Sequence, residues 1–588
     1  MTAMVRRLIV LRAGLALLFV LFLLRLVQLQ WCQGGRNRRF AEENRIRVIP
    51  RAAPRGAIYD RRGRVLASSR TAFSVRIVPQ ELRVAGSPDA VGALARLLGR
   101  SRPEVQHALD RGKGGHAEIT LLSHTDPETV ARLEEHARYL TGVTVVADAA
   151  RYYPHGSLAA HALGYVHEIS TEELARLEGM DRRAGELIGK DGTERMLESV
   201  LRGIDGGDQI EVDAAGRVIR TLGTVSPQSG RSVVLTLDLD LQRASEQALG
   251  NLTGAVVAME PHTGEVLALA SHPAFDPNLF IKPLSRRQWQ RLSGPDRPQQ
   301  DRATTGLYAP GSVFKIVTAA AALEQRVCSQ ETRFFCGGRF TLGRWSLRCW
   351  KPEGHGPLNF TQGFGQSCNV MFASLGRRVG PEALAEMARR FGLGERTGLD
   401  VPDESRGLVP SERWKRTRRH APWYPGDTCQ MAVGQGDLLV TPLQVAREVA
   451  VVANGGWLVQ PHLLLSIEGQ DARPPGPKRS AGLRADTVAA LRAGMEAVVA
   501  EGGTARSIAS RDYPIAGKTG TAEAPTGAPH AWFVGYAPAD DPKVVVAVLV
   551  EHGGHGGATA APIARRVFDA ALLPARRPAI ARPWEGPS

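Results

Sequence analysis

The stretch YAPGSVFKIVTAAAAL, Tyr308 to Leu323, carries a single charged residue in an otherwise apolar run. From Val313 onward its composition predicts a buried helix, and Pro310 and Gly311 place Ser312 at the helix start. Lys315 follows Ser312 by three residues, so the two share one helical face with side chains within hydrogen-bonding reach. Free backbone N–H groups and the helix dipole at that start stabilise negative charge. An ammonium among Val313, Phe314, Ile316 and Val317 is poorly hydrated, which lowers its pKa and makes the neutral amine accessible as a base. Lys315 is then placed to take the proton of Ser312. Taken alone this spacing is common, and the competing reading is a lysine lying over apolar surface with its head in water.

Two further motifs shift that balance. Ser367-Cys368-Asn369 fits SxN and Lys518-Thr519-Gly520 fits KTG, in the order and at the wide spacing of penicillin-recognising serine acyltransferases. Separately they read as a turn or cap and as a surface strand lysine; neither reading explains the ordered set. The wording around them, PGSVFK, SCN, GDTCQMAVGQG with VTPLQ (Gly426 to Gln444) and GKTGTAE (Gly517 to Glu523), resembles class B penicillin-binding proteins, the monofunctional D,D-transpeptidases of peptidoglycan synthesis. Upstream, PRGAIYDRRGRVLA (Pro54 to Ala67), YPHGSLAAHALGYV (Tyr153 to Val166), GKDGTE (Gly189 to Glu194) with LRG (Leu201 to Gly203), and TLDLDLQ (Thr236 to Gln242) resemble the pedestal and domain junction of the same family. Leu197 departs from it, standing where many relatives have an aromatic.

The resemblance implies a role for each matched residue. Ser312 would attack the carbonyl of the penultimate D-Ala of a stem peptide, forming an acyl-enzyme and releasing the terminal D-Ala, with Lys315 as general base. Ser367 would relay the proton to the leaving amine, and Asn369 would hold the substrate amide and Lys315. The KTG segment suits a strand lining the cleft, along which an extended stem peptide would lie antiparallel. Lys518 would supply positive potential, Thr519 and Thr521 would bind the terminal carboxylate, and Gly520 would leave room for the substrate backbone. Backbone N–H groups of Ser312 and Thr521 would form the oxyanion hole. Catalysis of this kind needs no cofactor.

The chain of 588 residues exceeds the usual domain of about 100 to 200 and predicts two or more domains. LIVLRAGLALLFVLFLLRL, Leu8 to Leu26, is apolar except for Arg12 and Arg25, and at helical rise it spans roughly 28 Å, close to the bilayer core. Its charge-free part, Ala13 to Leu24, would also suit a cleaved signal peptide; no small-x-small cleavage site follows, and Gln30 and Trp31 precede Cys32 where a lipoprotein site needs small residues. An uncleaved single-pass anchor is the expectation. Arg6, Arg7 and Arg12 on one side, and Arg25, Arg36, Arg38 and Arg39 on the other, leave the orientation open by charge. The chemistry of the resemblance puts the N-terminus in the cytoplasm and the bulk in the periplasm, at the inner membrane. The expected fold class is α/β (α+β). Residues 1–30 form a cytoplasmic tip and anchor, 31–225 an irregular α+β pedestal, 226–575 a penicillin-binding transpeptidase or serine β-lactamase-like domain with an antiparallel sheet, and 576–588 a disordered Pro-rich tail.

Three of the six cysteines fall in one region: Cys336, Cys349 and Cys368, with His355 between them. Three thiolates and an imidazole make a tetrahedral structural zinc set, which here would fix the SxN loop relative to Ser312. The competing reading is a Cys336–Cys349 disulfide with Cys368 as a small buried apolar residue. Elongation-type penicillin-binding proteins resemble this chain in having a metal-ligand position in this region, where carboxylates replace some cysteines. Cys32, Cys328 and Cys429 are read as unpaired, and His552 and His555 in EHGGHGG as part of a flexible loop.

The net charge of +15 comes mainly from Arg spread along the chain, without the aromatic-interleaved clusters of a nucleic-acid surface. It suits an anionic membrane or phosphate-bearing substrate, or simply a solvated surface. The resemblance is strongest to the elongation group, penicillin-binding protein 2. It implies stem peptides ending in D-Ala-D-Ala as substrates, β-lactams as acylating inhibitors, and a SEDS-type glycosyltransferase and other elongation-complex membrane proteins as partners. Competing readings are a division-type transpeptidase, a D,D-carboxypeptidase or β-lactamase, and a penicillin-binding sensor or non-catalytic polymerase activator.

Overall fold

The computed structural model describes residues 3–33, 35, 46–79, 82–84, 89–111, 119–177, 182, 186–212, 218–282, 284–474 and 476–573. Arg36, Arg38 and Arg39 and the tail 576–588 lie outside them. The helix Ala3–Val27 runs on into a π-turn, Gln28–Cys32. Its apolar part, Leu8–Trp31, has a mean hydropathy of 2.4, and its large side chains are exposed. Among the described residues it is the one helix long and apolar enough to cross a membrane.

By contacts the chain divides into two compact units, and the division does not follow the order of the sequence. The smaller takes Met1–Arg55, Arg70–Ala150 and Gly203–Gly230; the larger takes Gly56–Ser69, Arg151–Arg202 and Arg231–Ser588. In the smaller unit, Ile46–Arg51 pairs antiparallel with Gly206–Val212, which pairs with Val218–Val225. A second core, built on Val75, Ile77, Leu94, Leu98, Val105, Leu109 and Leu133, lies between helices and the strand Ile119–Thr125.

Within the larger unit, segments 56–69 and 151–202 carry two ionic knots. Arg151 Nε meets Glu194 Oε1 at 2.6 Å with both side chains excluded from water, Arg151 also donates to the Gly56 carbonyl, and the Tyr153 hydroxyl donates to Glu194. Arg64 meets Asp60, Asp238 and Asp240, joining the YDRRGR and TLDLDLQ stretches. A buried charge is tolerable only when paired, so these residues are committed to one another across long sequence gaps.

The centre of the larger unit is a five-stranded sheet in the order Val266–His272, Gly254–Met259, Val544–Val550, His530–Ala537, Ala516–Ala522, antiparallel throughout as expected. Gly254–Met259 and Val544–Val550 are buried at every residue, which explains why they read as continuous apolar runs without alternation. Helices Leu239–Leu249 and Ala560–Leu572 touch each other and pack on this sheet, as do helices Pro442–Ala453 and Ala485–Val499. The strand carrying KTG, Ala516–Ala522, is an edge strand whose one strand partner among the described residues is His530–Ala537.

Candidate active site

The serine turn is wedged into place by glycines. Gly311 has φ +56°, and a Cβ there would lie 2.7 Å from the Thr521 carbonyl oxygen. Its N–H donates to the Gly434 carbonyl at 2.8 Å. Gly311–Phe314 forms a 3₁₀ turn and the α-helix begins only at Lys315 (Lys315–Glu324), later than the expected start at Val313. Ser312 is therefore half-buried in a tight turn ahead of the helix, with Val313 and Phe314 plugged into the core beside it. Its hydroxyl has no hydrogen-bond partner among the described residues. The expected side-chain pairing with Lys315 is not made; the lysine is engaged elsewhere.

Lys315 has no solvent exposure. Its ammonium donates to the Ser367 carbonyl at 2.9 Å, to Ser367 Oγ at 3.2 Å and to Asn369 Oδ1 at 2.7 Å, and lies 5.3 Å from the centre of the Phe372 ring. All these partners except the ring face are neutral oxygens, so burial dominates and brings its pKa down to about 8, with the nearby Cys368 and Cys349 opposing the fall. Lys518 is equally buried and donates to the same Ser367 Oγ at 2.8 Å and to the Thr519 carbonyl at 2.9 Å. Burial, and then the charge of Lys315, hold its pKa well below the ordinary lysine range. Two amines thus converge on one hydroxyl. A serine hydroxyl has two acceptor lone pairs and one donor; with both lone pairs taken by lysines, its proton is left to donate outward.

Ser367 stands in a turn between the helices Phe360–Gly365 and Asn369–Val379, in the left-handed region at φ 52°, a conformation unusual for a residue with a side chain. Cys368 caps the second helix by accepting from the Met371 N–H at 3.4 Å, which puts Asn369 in the first turn, where its amide nitrogen donates to the Arg348 carbonyl at 3.1 Å. On the KTG strand, Thr519 Oγ1 lies 2.7 Å from Thr504 Oγ1 and the Thr521 carbonyl accepts from Gln435 Nε2 at 3.4 Å. The bare face of Gly520 is turned toward Pro310, Val313 and Trp532, the first of these 3.2 Å from where a Cβ would stand. The room it makes is filled by the serine turn, not left for a substrate backbone.

Cys336, Cys349, His355 and Cys368 are brought together so that their potential ligand atoms lie within 4.8 Å of one another, and among the described residues no other such group of His, Cys, Asp or Glu forms. Cys336 ends one strand of a small antiparallel pair, Arg333–Cys336 with Gly356–Asn359, and His355 directly precedes the other. Cys349 follows the hairpin strand Trp345–Arg348. His355 Nδ1 is 3.5 Å from both Cys349 Sγ and Cys336 Sγ, and its buried Nε2 has no partner. Cys328, Cys336, Cys349, Cys368 and Cys429 are free thiols, so the Cys336–Cys349 disulfide does not form here. A hydrogen bond from Cys368 pushes the Cys349 thiol down to about 4 while Cys368 itself is pushed up. His552 of the glycine-rich stretch lies with its ring centre 5.0 Å from that of His530, the rings tilted by 54°, and no third metal-type ligand joins them among the described residues.

Sequence reasoning assigned no role to several residues that shape this site: Phe372 under the lysine, Arg348 holding Asn369, Thr504 on Thr519, and Gly434 and Gln435 clamping the serine turn and KTG strand. The last two stand inside the quoted MAVGQG; the others carry no local signal, because each acts on a residue far away in the chain.

The chain matches the penicillin binding protein transpeptidase domain over residues 254–569 and the penicillin-binding protein dimerisation domain over residues 50–235. It is 35% identical over 559 residues to the peptidoglycan D,D-transpeptidase MrdA of Acinetobacter baumannii, an alignment covering 91% of this chain and 82% of that protein. Among solved structures it resembles penicillin-binding protein 2 of Helicobacter pylori in its complex with MreC, with a TM-score of 0.79 and 28% identity over 90% of this chain and 99% of the other. It also resembles a chain of a peptidoglycan synthase complex that coordinates polymerization and crosslinking, with a TM-score of 0.73 and 33% identity over 97% of this chain and 99% of the other.

Proposed function

The chain belongs to the penicillin-binding protein family, as a peptidoglycan D,D-transpeptidase of the elongation type, and from that premise we propose that Ser312 is the residue it acylates. The observation that carries this reading is the convergence of two fully buried amines, Lys315 and Lys518, on the Ser367 hydroxyl beside the serine turn. With a pKa near 8, roughly a tenth of Lys315 is neutral at pH 7, enough to act as a base. Ser312 Oγ attacks the carbonyl of the penultimate D-Ala as its proton passes to Lys315 Nζ. The tetrahedral oxyanion is held by backbone N–H groups of Ser312 and Thr521, neighbours because Gly311 packs on the Thr521 carbonyl. Collapse breaks the amide C–N bond, and the departing D-Ala amine takes a proton from Ser367, which is resupplied from Lys315. The amine of a second stem peptide then attacks the acyl ester and regenerates Ser312. Asn369 orients Lys315 and the substrate amide, Lys518 provides positive potential, and Thr519 and Thr521 line the donor peptide along the open strand edge.

Cys336, Cys349, His355 and Cys368 fit a structural zinc. A tetrahedral ion with Zn–S bonds of about 2.3 Å needs donor atoms about 3.8 Å apart, and these four approach that spacing with three sulfurs and one imidazole nitrogen. Bound there, zinc would tie the hairpin region to the cap of the helix that presents Asn369, a structural contribution outside the reaction itself. The N-terminal helix anchors the chain in the inner membrane with the bulk in the periplasm. Partners are proteins of the elongation machinery, a SEDS-type glycosyltransferase among them, in keeping with the assemblies in which the relatives are found.

Labelling with a fluorescent penicillin tests the assignment. Wild type is labelled, whereas Ser312→Ala and Lys315→Ala are not; covalent label on the Ser312 variant refutes the nucleophile. Metal analysis of protein purified without chelator tests the zinc, and a metal-free chain with a Cys336–Cys349 disulfide removes it.

A further inference from the structure

Part of the positive charge is concentrated in two places. The helix Glu412–Arg419 (ERWKRTRR) carries five cations against one carboxylate and buries none of its residues. Lys415 pairs with Asp427 and Arg419 with Asp437 at 2.6 Å, which fixes the helix in place. Arg413, Arg416 and Arg418 remain exposed, with no carboxylate partner among the described residues. A second group lies on the hairpin Arg339–Leu342 and Trp345–Arg348, where Arg339 and Arg348 are direct cross-strand partners, both exposed and neither paired with a carboxylate among the described residues. Like charges directly opposite each other destabilise a hairpin, so folding alone gives no reason for this pair. An anion between them does.

Both groups are tied to the catalytic residues. The Arg348 carbonyl holds Asn369. Asp437, the partner of Arg419, lies two residues beyond Gln435, which bonds to the Thr521 carbonyl, and three beyond Gly434, which bonds to Gly311. The Trp345 ring of the hairpin lies against Gly426, next to the Asp427 that anchors Lys415, so hairpin and helix are neighbours.

We propose that this arginine rim binds the carboxylates of the acceptor stem peptide, the second peptidoglycan strand in the crosslinking step; the inference rests on the transpeptidase reading above. The acceptor amine must reach the acylated serine from outside while the donor lies along the KTG strand, and stem peptides carry free carboxylates along their length. Guanidinium groups recognise carboxylates through paired N–H bonds, with geometry as well as charge. An anionic lipid surface offers the same sign of charge, but the rim is held by the residues that frame Ser312, where the acceptor arrives.

The test uses the full chain in detergent, with a soluble pentapeptide muropeptide as donor and a tetrapeptide muropeptide as acceptor, its carboxylates either free or converted to methyl amides. Arg413→Gln, Arg416→Gln and Arg418→Gln are combined, since no residue of that helix is buried. Penicillin labelling, which needs no acceptor, keeps its wild-type rate. The acceptor KM rises about tenfold, the amidated acceptor shows the same rise with wild type, and the variant no longer distinguishes the two acceptors. Added salt weakens the wild-type preference. Intact labelling with an unchanged acceptor KM refutes the rim and leaves the serine assignment standing. Loss of binding to phosphatidylglycerol vesicles with an unchanged acceptor KM also refutes it, assigning the arginines to lipid. A wild type that penicillin fails to label overturns the serine assignment and this inference with it.

Discussion

Replacing Asn369 by Asp tests the base assignment by exchanging one amide nitrogen for oxygen. Lys315 donates to Asn369 Oδ1 at 2.7 Å, and burial brings its pKa to about 8. Roughly one lysine in ten is then neutral at pH 7 and nine in ten at pH 9, so acylation by a β-lactam rises about tenfold across that window. A carboxylate at the position of the amide favours the ammonium, and an opposite charge at such range raises a lysine pKa by about one to three pH units. The neutral fraction at pH 7 falls to between roughly one in a hundred and one in ten thousand, slowing acylation about 10- to 1000-fold. The deficit shrinks as pH rises, because the base is displaced in pH and not removed. Quenched-flow labelling with a fluorescent penicillin from pH 6 to 10 reads both effects. A wild-type rate that stays flat from pH 6 to 9, or a variant whose profile keeps the wild-type midpoint, refutes the view that deprotonation of Lys315 controls attack by Ser312.

Three other outcomes are expected. Glu448 is fully buried, neither of its carboxyl oxygens has a partner, and burial raises its pKa well above the ordinary range. With the folded pKa above the unfolded one, its contribution to stability is complete below about pH 4 and is lost as pH climbs toward the folded value. Glu448→Leu should therefore raise the melting temperature at pH 8, by the equivalent of about 1–3 kcal/mol, and much less at pH 4; a lower melting temperature at pH 8 contradicts this. Arg151→Met removes the buried guanidinium that meets Glu194 and should destabilise the larger unit by about 3–5 kcal/mol in a denaturant titration; an unchanged midpoint contradicts this. Cys349→Ser should lower bound zinc, measured by mass spectrometry, from about one per chain to near zero, and slow penicillin acylation through the displaced Asn369; unchanged metal content excludes Cys349 as a ligand.

The antiparallel sheet, the apolar N-terminal helix and the order of the three motifs were legible because each is written in neighbouring residues. VVVAVLV is a short apolar run rich in β-branched residues, which suits a buried strand, and Lys315 stands among apolar neighbours in the chain itself. Less legible were features set by backbone detail. The 3₁₀ turn at Gly311–Phe314 delays the helix by two residues, because the Gly311 N–H goes to Gly434 and the chain closes against Thr521. The bare face of Gly520 turned out to face inward for the same reason. The basic helix Glu412–Arg419 drew no reading from composition, and its bearing on the site depends on Arg419 reaching Asp437.

By themselves, the residues determined the kind of chemistry: a serine, a poorly hydrated amine, and a strand with a second lysine, all within one family pattern. Tertiary structure alone decided which atoms meet. It bonded Lys315 to Ser367 and Asn369, over fifty residues on, set Lys518 on the same hydroxyl, and gathered three cysteines and a histidine into one cluster. Local periodicity encodes contacts within a helical turn or across a strand. Contacts between distant segments follow from how buried charges and glycine clearances are satisfied together, a condition on the whole fold that no short stretch contains.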